Sequence, residues 1–179
     1  MILRDAIQAD APVLAAVYGH HVLHGLGTFE EIPPSAEEMA SRLAGVRARS
    51  LPYLVAETDR VIGFAYANPF RLRAAYRYTA EDSVYVAPEA VGRGIGKALL
   101  QGVIDRSTAL GLRQLIAVIG DSGNAGSIGL HRSLGFEPGG ILRAVGFKHG
   151  RWVDIVMMQK ALNSGGVSAP STGGLTLGE

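Results

Sequence analysis

The chain has 179 residues, a length suited to one domain with a full hydrophobic core; 47% apolar and 18% charged residues exclude a disordered or fibrous protein. A net charge of +1 leaves no polyanion-binding footprint. The absence of cysteine excludes disulfides, thiolate metal sites and a cysteine nucleophile, and fits a reducing compartment. No apolar run approaches the ~18 residues of a membrane span, and the charged start MILRDAIQAD lacks the apolar core of an export signal, so a cytoplasmic protein is expected.

In chain order, Ile2–Arg4 reads as a short strand, followed by a helix capped by Asp10 and running past Val22. A Gly/Pro-rich loop, Gly25 to Pro34, holds Thr28 and Phe29. Ser35 and Glu38 form a capping box that opens a second helix to about Arg49. Tyr53–Glu57 and Val61–Ala67 form a hairpin, and Ser83–Ala87 a further strand. Lys97 to Leu110 is helical and stops at Gly111; Gln114–Ile119 is a continuous apolar strand buried on both sides. Asn124 to Leu134 is a short helix, and Gly140–Phe147 with Trp152–Gln159 a closing hairpin turning at His149-Gly150. These elements predict an α+β domain over residues 1–162, a mixed sheet with helices on both faces. Residues 163–179 turn to Gly, Ser, Thr and Pro and are expected to be a flexible tail.

Glycine is in excess, 24 of 179, and its clearest cluster is Gly92-Arg93-Gly94-Ile95-Gly96-Lys97 between the strand Val84-Tyr85-Val86 and a helix. A glycine loop opening a helix presents free backbone N–H groups and the positive end of the helix dipole, a seat for a pyrophosphate. Lys97 lacks a following Ser or Thr, so the loop is no Walker A motif, and glycines two apart do not match G-x-G-x-x-G. Coenzyme A and a plain strand–helix turn remain.

The segments VYVAPEAVGRGIGKALL, QLIAVIGDSGNAGSIGLHRSLGF and GFKHGRWVDIVMMQKAL resemble the GNAT superfamily of acyl-CoA-dependent N-acyltransferases. The resemblance implies that the strand before the loop splays from its neighbour and that acetyl-CoA enters the gap. Val84, Tyr85 and Val86 would bond pantetheine, Gly92, Arg93, Gly94, Ile95, Gly96 and Lys97 would hold the pyrophosphate, and Asn124 would touch the cofactor. Val91 stands where the family has Gln or Arg, and His131 where it often has tyrosine.

Tyr18, the Thr28-Phe29 loop, YLVAE and GFAYANPFRLRAAYRYTAEDSVYV narrow the resemblance to the phosphinothricin and methionine sulfoximine or sulfone N-acetyltransferases, over about Ile2 to Leu162. It implies transfer of acetyl to the α-amino group of a small amino acid. Glu81, just upstream of the cofactor strand, would be the general base, directly or through a water. A solvated strand-end carboxylate is its plainer reading. His131 would protonate the departing thiolate or else simply pack. Phe29, Arg71, Leu72, Arg73, Glu81, Asp82 and Ser83 would line the substrate pocket, with arginines clamping an acidic group. A homodimer is implied, its pocket near the interface and closed by Phe29 and the Phe147–Gly150 turn; no nucleic-acid or membrane partner is expected. His20, His21 and His24 lack a third ligand pattern, so no metal is expected. Alternative readings are acetylation of another amine or of a protein N-terminus, or a GNAT module that senses CoA without turnover.

Overall fold

The computed structural model describes residues 1–177. Its elements are β1 (Ile2–Asp5), α1 (Ala11–His24), α2 (Ala36–Ala48), β2 (Tyr53–Glu57), β3 (Val61–Pro69), β4 (Thr79–Val86), α3 (Ile95–Ala109), β5 (Gln114–Gly120), α4 (Ala125–Ser133), β6 (Glu137–Lys148) and β7 (Arg151–Ala161). The strands form one sheet in the order β1-β2-β3-β4-β5-β7-β6. Every neighbouring pair is antiparallel except β4 and β5.

Strand alternation sorts side chains to two faces. On one, Tyr18 of α1 meets Tyr85 edge-on with ring centres 4.8 Å apart, and Tyr53 stacks on Tyr66 at the same spacing. On the other, α3 presses so close that a Cβ on Gly102 would lie 2.7 Å from Leu54. Phe64, Leu99, Leu100, Val103 and Leu115 are fully buried between these layers. At about 1.5–3 kcal/mol per large apolar side chain, this core supplies most of the folding drive.

Four local expectations change. Asp10 does not cap α1 with its side chain; its carboxylate accepts from Ile7 N–H and from both terminal nitrogens of Arg4, each at 2.8 Å. β4 begins at Thr79 rather than Ser83, because pairing with β3 and β5 extends it back through Glu81 and Asp82. Glu81 is therefore inside the strand and not upstream of it. β5 is not buried on both sides: Gln114, Ile116 and Val118 are only half-buried. Finally, residues 163–177 lie back along the domain. Arg113 donates to the carbonyls of Gly165 and Ser168, Tyr78 Oη donates to Thr172 O, and Leu175 is buried. The flexible-tail expectation undervalued Leu175 and Leu177 within a polar sequence; its last two residues, 178 and 179, lie outside the described residues.

Candidate active site

β4 pairs with β5 only from Thr79↔Gln114 to Asp82↔Ala117. Beyond that point β4 stays with β3 as far as Val86, and β5 stays with β7 as far as Gly120. The two central strands fork. Ala87 N–H donates to Ile62 O, so Tyr85 turns its backbone groups to β3 and those of Val84 and Val86 point into the gap. Of the three residues expected to bond pantetheine, Val84 and Val86 turn backbone groups into the gap and Tyr85 turns its own to β3. A cleft of about 520 Å³ fills the fork.

At its mouth lies the glycine loop. Gly92 and Gly94 have φ of +80° and +77°, and a Cβ on either would face open space. Among the described residues the N–H groups of 92–97 have no backbone acceptor, and Gly94 is the N-cap of α3. Free N–H groups at a helix N-terminus suit an anion, and Lys97 lines the cleft beside them. Arg93 is exposed and, unlike its neighbours Gly92 and Gly94, does not line the cleft; Ile95 offers its N–H there while its side chain is buried in the core. Asn124 caps α4, its Oδ1 accepting from Ser127 N–H at 3.1 Å, and lines the cleft wall.

A smaller pocket of about 240 Å³ opens on the α1 face of the fork, lined by Glu81, Phe29 and Tyr66 among others. Gly27, Ser83, Tyr85 and Val118 belong to both hollows, so the two meet at the fork. Partial burial, helped by the charge of Asp82, raises the pKa of Glu81 above the ordinary carboxylate value, while Arg71 opposes the shift. The loop from Gly25 to Pro34 roofs the pocket. It crosses the end of β5 so closely that only glycine fits at 120, and the Phe29 ring lies on Gly146 where any side chain would collide. Lys148, 2% exposed, ties the roof down by donating to Thr28 O at 2.7 Å.

Asp82 alternates to the other side of β4 from Glu81 and lines the large cleft, not the small pocket as expected. There it meets His131, both side chains almost wholly buried. His131 Nδ1 lies 2.7 Å from Ser127 O, and a carbonyl only accepts, so Nδ1 carries hydrogen. Nε2 and Asp82 Oδ2, 3.0 Å apart, then share the one remaining proton. Burial raises Asp82, and although burial works against the imidazolium, the hydrogen bond and charge of Asp82 leave His131 above its ordinary value. Both ring nitrogens are thereby engaged. The open atom of the pair is Asp82 Oδ1, buried and without a partner.

The structure does not bring Arg71, Leu72 and Arg73 into either hollow. They project from the exposed loop that joins β3 to β4, where Arg71 covers the Phe70 ring and donates to Phe70 O. Sequence reasoning missed His21, which donates Nε2–H to Val86 O at 2.9 Å and lines the cleft. Its signal was hidden in an apparent metal triplet. His20 and His24 instead lie ring to ring at 4.8 Å, and among the described residues no group of three metal-binding side chains gathers. Tyr66 and Asn68 were also missed; their positions opposite Ser83 and Glu81 exist only in the register of β3 and β4.

The sequence and the fold resemble those of known proteins. The acetyltransferase (GNAT) family model matches residues 21–136. A phosphinothricin N-acetyltransferase of Alcaligenes faecalis is 52% identical over 162 residues, covering 90% of this chain and 82% of that protein. An L-methionine sulfoximine/L-methionine sulfone acetyltransferase of Pseudomonas aeruginosa is 42% identical over 166 residues, 90% of this chain and 94% of that one. The crystal structure of a GNAT superfamily phosphinothricin acetyltransferase from Sinorhizobium meliloti in complex with acetyl-CoA superposes with a TM-score of 0.93 at 50% identity, covering 97% of this chain and 94% of that chain. With a forked sheet, a glycine-capped α3 and relatives this similar over nearly its whole length, the chain belongs to the GNAT family of acetyltransferases and is an acyltransferase enzyme.

Proposed function

We propose that the enzyme transfers acetyl from acetyl-CoA to the α-amino group of a small amino acid of the phosphinothricin or methionine sulfoximine type. The observation that carries this reading is the shared wall between the two hollows, which sets the Glu81 pocket against the fork. The relatives that act on such amino acids, and the S. meliloti complex with acetyl-CoA, support it. The cleft suits the donor: inward-facing backbone groups at Val84 and Val86 match an amide-bearing arm, and the free N–H groups of residues 92–97 match a pyrophosphate.

When bound, acetyl-CoA supplies a thioester carbonyl open to attack by an amine. Glu81 takes the ammonium proton, directly or through a water, and its raised pKa brings it nearer to the working pH of a base. The chain has no cysteine to carry the acetyl group, so the amine attacks directly. The Asp82–His131 pair lines the cleft beside the fork and holds one proton in its Nε2–Oδ2 hydrogen bond, and opening of that bond releases the proton to the departing thiolate. Arg71, Leu72 and Arg73 enter this proposal only as a loop that folds over the pocket or meets it across a dimer. The homodimer rests on β6, an edge strand, and on Phe147 and Trp152 beside it, 57% and 66% exposed. A cytoplasmic setting without metal, membrane or nucleic acid completes the proposal; among the described residues no helix is long and apolar enough to cross a membrane.

Thiol release from acetyl-CoA tests the reading directly. Phosphinothricin, methionine sulfoximine and methionine sulfone should each accelerate it well above hydrolysis. Tight acetyl-CoA binding with no amine-dependent release would leave a CoA-binding module instead.

A further inference from the structure

A third hollow of about 390 Å³ lies between α2 and strands β2 and β3 and has no role in the chemistry above. Its wall is mainly polar, and Tyr18, Tyr66 and Asn68 line both it and the Glu81 pocket, so the two are neighbours. Two features inside it call for a ligand. Tyr53, only 3% exposed, lines it with a hydroxyl that has no hydrogen-bond partner among the described residues. Arg49, just after α2, gives one terminal nitrogen to Gly45 O at 2.8 Å and has no carboxylate partner among the described residues. The remaining charges there are satisfied. Glu30 accepts from Arg42 through both oxygens, at 2.8 and 3.2 Å, and from Tyr18 Oη at 2.8 Å, while Arg42 also donates to Glu38.

We propose that this hollow is the subsite for an acidic group on the acceptor's side chain, held by Arg49 and the Tyr53 hydroxyl. The inference rests on the proposed function and names the substrate class it favours: amino acids that end in a carboxylate or phosphinate. Register sets the two hollows side by side. Ser83, Tyr66 and Tyr53 are directly opposed across β4, β3 and β2, and Asn68 is opposed to Glu81, so Tyr66 and Asn68 stand between the Glu81 pocket and the third hollow and line both. A guanidinium and a phenol hydroxyl, the one charged and the other unpaired and desolvated, favour an anion over the uncharged sulfone of methionine sulfone.

Calorimetry in the presence of CoA, with thiol release measured alongside, separates the possibilities. The probes are phosphinothricin, methionine sulfone and glutarate, which has the acid without the amine. Arg49→Gln keeps a donor for Gly45 O and removes the charge; Tyr53→Phe keeps the ring stack and removes only the hydroxyl. The preference of wild type for phosphinothricin over methionine sulfone should fall about 10- to 100-fold in Arg49→Gln and about 2- to 10-fold in Tyr53→Phe. Equal losses for both amino acids, no loss at all, or wild type binding neither probe would overturn the subsite. Glutarate binding as tightly as phosphinothricin would overturn it too, showing an independent anion site. Selective binding that Arg49→Gln abolishes, without amine-dependent thiol release, would uphold the subsite and sink the proposed acetyl transfer.

Discussion

Glu81 stands where a carboxylate loses part of its water and feels the charge of Asp82 across the strand, and both effects favour the protonated form. The rate of acetyl transfer should therefore rise with pH along an acid limb lying above the ordinary carboxylate range, as the base ionises. Glu81→Gln should lower kcat by about 10²- to 10⁴-fold and flatten that limb, with acetyl-CoA affinity retained. Nearly full kcat across the pH range would return Glu81 to a structural role. Arg71 sharpens the test. Its cation favours the anionic form of Glu81, so Arg71→Ala should raise the carboxyl pKa further and move the acid limb to higher pH. The displacement should be small, since Arg71 is exposed and solvent screens its charge. A limb that moves to lower pH would mean that Glu81 does not set it.

Among the elements, the turn from β4 into α3 does the most to shape the proposed donor site. Glycines at 92 and 94 permit a left-handed backbone that turns successive N–H groups outward. A valine at 94 would sit in open space yet carry the strain of φ near +77°, about 1–3 kcal/mol. Gly94→Val should weaken acetyl-CoA binding about 5- to 150-fold by calorimetry, with the melting temperature shifted by only a few degrees. Wild-type affinity in a folded variant would remove the loop from the donor site. Strand β4 shows where local preference gives way. Thr-Ala-Glu-Asp at 79–82 has weak strand character by itself, and the reading from sequence starts the strand at Ser83. Pairing on both sides overrides that preference, and alternation along the added residues sends Glu81 to one hollow and Asp82 to the other.

At the scale of the whole molecule, the sheet ends in an unpaired edge. β6 exposes Ile141, Leu142, Val145 and Phe147, and Trp152 packs edge-on against Phe147 at 5.3 Å. An apolar strand edge of this kind invites pairing with a second copy. Sedimentation velocity should show a species of two chains, and Trp152→Glu should shift it to one. A wild-type chain sedimenting as a monomer at all concentrations would remove the homodimer from the proposal. Phe147 stands between Gly146 and Lys148 on the strand that seats Phe29 and anchors the pocket roof, so dissociation should also raise the KM for the amino acid.

The sequence by itself determined the family, and it made the glycine loop proposed for the donor and the general base candidate legible, because these are written in contiguous runs: the glycines at 92, 94 and 96, the Tyr-Thr-Ala-Glu segment and the apolar strands beside them. Hydrophobic period and glycine placement act over a few residues, and so are legible in a single chain. What only the tertiary structure decided was which side chains meet. The hydrogen bond between Asp82 and His131 spans 49 positions, that between His21 and Val86 spans 65, and the roof tie from Lys148 to Thr28 spans 120. Those contacts follow from strand order, register and the fork between β4 and β5. Only long-range packing fixes such features, and it left Arg71 and Arg73 outside the hollows while placing Arg49 and Tyr53 within one.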